Sequence, residues 1–307
     1  MTGPPVRLSD EVDEALRERR PVVALESTII AQGLPRPRNL EVARELEDIV
    51  RQRGACPATM AVLDGVACVG LAQAQLVRVA EDPSLRKLGR RDVPVALALR
   101  VSGATTVSAT VWLAAVAGIR VMGTGGIGGV HRGYSETFDE SADLKVLSEA
   151  RVTVVSAGVK SILDVPATLE RLESLSVSVV GYQTVYFPGF YLHSSGRPVD
   201  WSVSTPAEVA EVMRRQDGLG ITSALLVANP VPEAQQLDPV AHDQALSEAL
   251  ASAGREGVSG QSLTPYLLAS LVRASGGASL EANLAAVRGN VGLAADIAVA
   301  FSQAVRS

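Results

Sequence analysis

The chain contains only three lysines, Lys87, Lys145 and Lys160, against 25 arginines (28 basic residues less 3). Lys160 stands in "VVSAGVKSILDVP", just past an apolar run that reads as a strand. Arginine would serve as well for a solvated charge or for clamping a carboxylate. It cannot lose its proton, whereas a partly desolvated lysine can, and the free amine attacks carbonyl carbon. Residue type and position therefore mark Lys160 as a candidate amine nucleophile. Lys87, in "LRKLGRRD", has neighbours that suggest anion binding, and Lys145 reads as a surface residue. Glu26 directly follows the apolar "VVAL". A carboxylate at the end of a buried strand loses solvation unless partnered, which raises its pKa and suits a general acid. A role as cap or salt-bridge partner is the alternative.

Three further stretches carry polar chemistry. "SGATTVSAT", residues 102–110, puts five hydroxyls, Thr106 among them, at the start of an expected helix. Hydroxyls and free N–H groups at a helix start favour phosphate, though the same residues also serve as caps. "GTGGIGG" holds G-x-G-x-x-G at Gly123, Gly125 and Gly128. A dinucleotide fingerprint needs its third glycine to open a helix. The chain here runs instead into "GVHRGYSETFDESADL", which reads as irregular, so a backbone-lined anion or substrate loop is the expectation. That segment supplies Asp139, Glu140 and Asp143 a few residues after His131. Oxygen donors of this kind suit Mg²⁺ or Mn²⁺, with a solvated acidic loop as the alternative. His193 and His242 read as structural residues on loop and helix surfaces, and neither Cys56 nor Cys68 has a base nearby in sequence.

Most of these residues fall where strands end. "PVVALEST", "IRVMGT", "RVTVVSAG", "VSVVGYQT" and "SALLVANP" are apolar runs of strand length. Around Asp64-Gly65, "TMAVLDGVACVGL" reads as a hairpin. Helices are expected over "SDEVDEALRERR" with Ser9 as N-cap, and over "NLEVARELEDIVRQRG" between an Asn39 cap and a Gly54 stop. Others are expected near 106–118, over "VPATLERLESL", and through a helix-rich part from about residue 232. Strands alternating with helices indicate βαβ units. The expectation is a single three-layer α/β/α domain over 1–307, with a mixed, mostly parallel sheet and ligands at the carboxyl ends of its strands.

Composition narrows the function classes. A formal charge of −5 argues against a nucleic-acid binder. No unbroken run of about 18 apolar residues suggests a membrane span, and the charged start "MTGPPVRLSDEVDEALRERR" is unlike a signal peptide. Two cysteines suggest no disulfide scaffold, so a cytoplasmic location is expected.

Taken together, these segments resemble the pseudouridine-5′-phosphate glycosidase family, also known as indigoidine synthase A-like proteins. The resemblance runs from about residue 20 to 303 through "VALESTIIAQGLPRPRNLEVA", "PATMAVLDGV", "RKLGRRDVP", "SGATTVSAT", "GTGGIGGVHRG", "ETFDESADL", "SAGVKSILDVPATLE", "FPGFY", "LLVANPVP" and "SLEANLAAVRGN". It implies reversible cleavage of a carbon–carbon glycosidic bond, turning pseudouridine 5′-phosphate into uracil and ribose 5-phosphate. It further implies that Lys160 forms a Schiff base with ribose C1, that Glu26 is the proton donor, and that Asp139 ligates one Mn²⁺ otherwise bound by water. Lys87 and the backbone around Val107 match sugar-phosphate contacts, and Ser141, Ala142 and Asp143 a substrate-binding segment. Asn283 matches a residue near the base, and Thr106 and His131 are counted with the substrate-binding candidates. A homotrimer is implied as well. The chain departs from the family pattern at Gln32 and in "YQTVYF", with Gln183, Val185 and Tyr186. Those departures leave open a second reading, a C-glycosynthase that joins ribose 5-phosphate to an aromatic natural-product acceptor.

Overall fold

The computed structural model describes residues 6–258 and 263–306. Its sheet is built from β1 (Val6–Leu8), β2 (Val22–Leu25), β3 (Cys56–Leu63), β4 (Val66–Val69), β5 (Arg86–Leu88) and β6 (Gly103–Thr105). To these it adds β7 (Val121–Gly123), β8 (Thr153–Ser156), β9 (Ser178–Tyr182), β10 (Ser202–Val203) and β11 (Leu225–Ala228). The order is β1-β4-β3-β2-β7-β8-β11-β9-β10, with β6 on β3 and β5 on β6. Pairing is antiparallel at β3–β4 and β3–β6 and parallel elsewhere, so the sheet is mixed and mostly parallel as expected.

The helices are α1 (Asp10–Arg17), α2 (Arg38–Gln52), α3 (Gln73–Glu81), α4 (Val93–Ala98), α5 (Val107–Ala117), α6 (Tyr134–Thr137) and α7 (Ala142–Leu147). After them come α8 (Val165–Ser174), α9 (Pro206–Gly218), α10 (Pro239–Glu256), α11 (Leu263–Ala274) and α12 (Ala278–Arg306). Successive strand residues face opposite sides, and both sides are covered. Val22, Ala24, Met122, Val154 and Leu226 pack in one core with α5 and α10. Their neighbours Val23, Leu25, Val121, Val155 and Leu225 pack in a second core with α2, α9 and α12.

Local chemistry explains several boundaries. Ser9 Oγ accepts the Val12 N–H at 3.3 Å and starts α1. Asp64 and Gly65 take φ of 51° and 78°, the left-handed pair of a tight hairpin between β3 and β4. Gly54, at φ 82°, follows the end of α2. Asn39, however, is not the cap of α2. The cap position is Pro37, and Asn39 is buried inside the first turn, its amide donating to the Ile30 and Ala80 carbonyls at 2.9 and 2.8 Å. The acidic stretch is not wholly irregular either, since Ser141 caps the short helix α7. Helix α9 escapes the sequence reading although Thr205 and Glu208 close a reciprocal capping box at its start. His242 is buried and faces Tyr191, contrary to the surface position expected for it.

Helix α12 is long and apolar enough, by length and composition, to cross a membrane, which the search for an unbroken apolar run overlooks. With 61% of the relevant window buried, it behaves as a core helix lying against α9, α2, β7, β8 and β2.

Candidate active site

Register decides what meets what. Leu25 pairs with Gly123, Gly123 with Val155, and Ala228 with Ser156, so β2, β7, β8 and β11 end side by side. The residues that follow, Glu26, Thr124, the 157–160 turn and Asn229, therefore emerge at one edge. This is the carboxyl end of a parallel sheet, where open α/β folds bind ligands.

Glu26 keeps partial access to solvent but is surrounded by protein. Burial pushes its carboxyl pKa up. The Lys160 ammonium and a hydrogen bond from Thr124 oppose that shift, Asp143 adds to it, and Lys87 opposes it. The Thr124 hydroxyl donates to Glu26 Oε1 at 2.5 Å. Lys87 is exposed at the surface, yet desolvation by the surrounding protein lowers its pKa. The like charge of Lys160 lowers it further, while Asp143 and Glu26 oppose. His131 is held below its usual pKa by burial, against the pull of Asp139, with Lys87 and Lys160 adding to the depression. These mutual influences bring Glu26, Lys87, His131, Asp143 and Lys160 into one electrostatic cluster. Among the described residues no ion pair joins Glu26 to either lysine.

Lys160 is half-buried on the turn after β8. Its N–H donates to the Ile127 carbonyl at 3.1 Å, and Ile127 N–H donates to Gly158 at 3.0 Å. The turn is thus laced to the glycine loop. Gly128 does not open a helix, as the sequence reading anticipated. The loop is less an anion cradle than a scaffold, since several of its N–H groups are already committed. Thr124 donates to Val155, Gly128 to Asp143 Oδ2 and Val130 to Thr168 Oγ. A β-carbon at Gly128 would collide with Ser141 and Asp143.

The other Asp143 oxygen accepts the Ser108 N–H at 2.8 Å. This buried carboxylate therefore joins the first turn of α5 to the glycine loop, both oxygens being satisfied by protein. Thr106 and Ser108 hydroxyls lie 3.0 Å apart at that helix start, and Lys87 pairs in β5 with Ala104 of β6, the strand that leads into α5. Ser141 accepts the Asp143 N–H at 3.2 Å, and Ala142 is exposed.

Asp139 lies with an oxygen 3.9 Å from His131 Nδ1. Among the described residues no set of three or more His, Cys, Asp or Glu side chains could hold a metal ion. The donor set fits a hard divalent ion that keeps most of its waters and takes one carboxylate, and does not fit a protein cage. The loop bearing Asp139 is anchored by the paired Glu140–Arg171 contacts at 2.8 and 3.0 Å.

From the other side, Asn283 of α12 points a buried carbonyl oxygen with no partner toward Gly125. One face further along, Asn290 donates to the Thr124 and Gly125 carbonyls at 2.7 and 3.2 Å. Its own carbonyl accepts from Asn229 at 2.9 Å. The segment Phe187–Tyr191 covers the site, with the Phe190 ring against Gly126 and the Phe190 N–H on the Ala157 carbonyl. Among the departures, Gln32 donates to the Leu85 carbonyl at 3.1 Å and Gln183 to Ser204 at 2.9 Å. Val185 and Tyr186 are 61% and 47% exposed. Thr124, Asn290 and Phe190 were not singled out in the sequence; the one signal was that Thr124 is the polar residue closing the apolar run "IRVMGT".

Residues 11–300 match the family described as indigoidine synthase A like protein. A relative from Streptomyces griseus named pseudouridine-5′-phosphate glycosidase is 65% identical over 298 residues, covering 97% of this chain and 92% of its own. Another of that name, from Caldanaerobacter subterraneus, is 48% identical and covers 97% of each chain. Among solved structures, the prealnumycin C-glycosynthase AlnA in complex with ribulose 5-phosphate aligns with a TM-score of 0.92 at 36% identity, covering 98% of each chain. An indigoidine synthase A-like protein from Thermotoga maritima aligns at 0.89 with 35% identity, covering 98% of this chain and 99% of its own.

Proposed function

The chain belongs to the indigoidine synthase A like family, and from that premise we propose that it is a C-glycosyl enzyme cleaving pseudouridine 5′-phosphate, with water, to uracil and ribose 5-phosphate. The observation that carries this reading is the juxtaposition of Glu26, at the carboxyl end of β2, with Lys160 on the turn after β8 and Lys87 of β5, burial raising the pKa of the Glu26 carboxyl. The name shared by relatives at 65% and 48% identity supports the substrate.

A carbon–carbon glycosidic bond has no leaving oxygen to protonate, so paired-carboxylate hydrolysis does not suffice. In the proposed course the Lys160 amine bonds to ribose C1 as the C1–ring-oxygen bond breaks, and Glu26 gives that oxygen its proton. The nitrogen, cationic after the attack, gives a proton to the Glu26 carboxylate; its lone pair then forms the iminium while the C1–C5 bond breaks, the electrons staying on the uracil ring carbon, which takes up a proton. Water hydrolyses the iminium and frees ribose 5-phosphate. Burial raises the Glu26 pKa, which favours the acid form the step needs. Lys87, the N–H of Val107 and the Thr106 hydroxyl would bind the phosphate at the start of α5. The unpartnered Asn283 oxygen would accept an N–H of the base. One divalent ion such as Mn²⁺, held by Asp139, His131 lying alongside, would supply positive charge and ordered water.

Borohydride reduction with ribose 5-phosphate tests the covalent step. The expected result is a mass increase of one reduced sugar phosphate on Lys160, absent in Lys160→Ala; an unlabelled wild-type protein sinks the proposal. The likeness to AlnA favours a second reading, in which the same sugar chemistry serves synthesis on a larger aromatic acceptor. Uracil release at a rate far below that of the Streptomyces relative would favour it.

A further inference from the structure

We propose that Thr124 is the positioning residue of the proton donor, its hydroxyl, anchored through Asn290, fixing the Glu26 carboxyl beside Lys160. The inference rests on Glu26 being that donor.

Thr124 is 1% exposed and all three of its polar groups are committed. Its N–H donates to the Val155 carbonyl at 3.0 Å, its carbonyl accepts from Asn290 Nδ2 at 2.7 Å, and its hydroxyl proton goes to Glu26 at 2.5 Å. A hydroxyl can both give and accept a proton, so Thr124 donates to the ionised Glu26 carboxylate and holds the same oxygen when the acid is protonated. Asn290, 0% exposed, cannot turn, because its amide nitrogen spans the Thr124 and Gly125 carbonyls while its oxygen receives the Asn229 amide. The chain Asn229–Asn290–Thr124–Glu26 thus runs from the end of β11, across α12, to the acid. No second side chain or backbone N–H of the described residues hydrogen-bonds the Glu26 carboxyl. The charged groups facing it are Lys160, Lys87 and Asp143, on the turn after β8, on β5 and on α7. They bias its charge, but only Thr124 fixes its orientation.

A hydroxyl donating to a carboxylate favours the ionised form. Removing it therefore raises the Glu26 pKa, and the limb of the pH–rate profile that reports loss of the acid moves to higher pH. The shift expected is about one pH unit, the scale of one charge-assisted bond. The experiment compares wild type, Thr124→Val and Thr124→Ser by the pH dependence of kcat and KM for pseudouridine 5′-phosphate. It also follows the Glu26 carboxyl by ¹³C NMR, assigned with Glu26→Gln. Thr124→Val should raise the carboxyl titration and its kinetic limb and lower kcat about tenfold with KM nearly unchanged, and Thr124→Ser should restore both. Thr124→Ala makes the same deletion should the valine variant fail to fold. A folded Thr124→Val or Thr124→Ala protein whose Glu26 titrates as in wild type overturns the proposal. Full activity in Glu26→Gln would remove the donor reading instead, and the carboxyl titration would still decide whether Thr124 holds Glu26.

Discussion

At the residue scale, Asp143 shows how one side chain can join two walls of the candidate site. Its two oxygens accept the Ser108 and Gly128 N–H groups, both at 2.8 Å. Asp143→Asn keeps one acceptor and turns an amide N–H toward the other donor, leaving a buried backbone group unpaired. A loss of about 1–3 kcal/mol in stability is expected, together with a higher KM for the phosphate-bearing substrate; equal denaturant midpoints and KM values would contradict it. Lys160 and Glu26 were legible in the sequence because each breaks a local pattern, a lysine among arginines and an acid after four apolar residues. Thr124 breaks none. Its importance depends on a carboxylate 98 residues away, and no window of sequence displays that relation. Asn39 misled for the converse reason. An asparagine at a helix start looks like a cap, but here its amide is drawn to Ile30 and Ala80, which only the fold brings near.

At the element scale, the covering segment Phe187–Tyr191 fixes the turn that bears Lys160. Phe190 adopts φ 67°, unusual for a bulky residue, so that its N–H reaches Ala157 while its ring lies on Gly126. An added β-carbon at Gly126 would stand 2.5 Å from that ring. Gly126→Ala should therefore displace Phe190, costing about 1–3 kcal/mol as overpacking does, and slow the borohydride trapping of ribose 5-phosphate. Unchanged trapping kinetics would show that the ring does not hold the turn. Strands and helices with strong periodicity were readable, and so was the Asp64-Gly65 turn. The role of "FPGFY" was not, because apolar residues in a loop carry no period to interpret. Helix α10 likewise concealed that His242 looks inward to Tyr191.

At the scale of the whole molecule, pH acts through acids that folding has deprived of water. Glu47 of α2 is buried, and desolvation raises its pKa despite the Thr59 hydroxyl at 2.7 Å and the Arg51 guanidinium. A folded-state carboxyl pKa above the unfolded value means the native state binds more protons, so this group lowers stability as pH rises through that window. Glu47→Gln should raise the thermal midpoint at pH 7, and the gain should shrink as pH falls toward the ordinary carboxyl value of 4.5; a gain independent of pH would be inconsistent with this origin. The three-layer architecture was legible from alternation alone. The strand order was not, since the insertion of β11 between β8 and β9 is a long-range choice. The amide chain from α12 to Thr124 has a consequence in time rather than space. Asn290 and Thr124 are 166 positions apart, and contacts of such separation form late in folding. Until α12 docks, Thr124 lacks its Asn290 anchor and the Glu26 carboxyl is unaimed. Activity should therefore return only with the last docking step of refolding, behind the recovery of secondary structure.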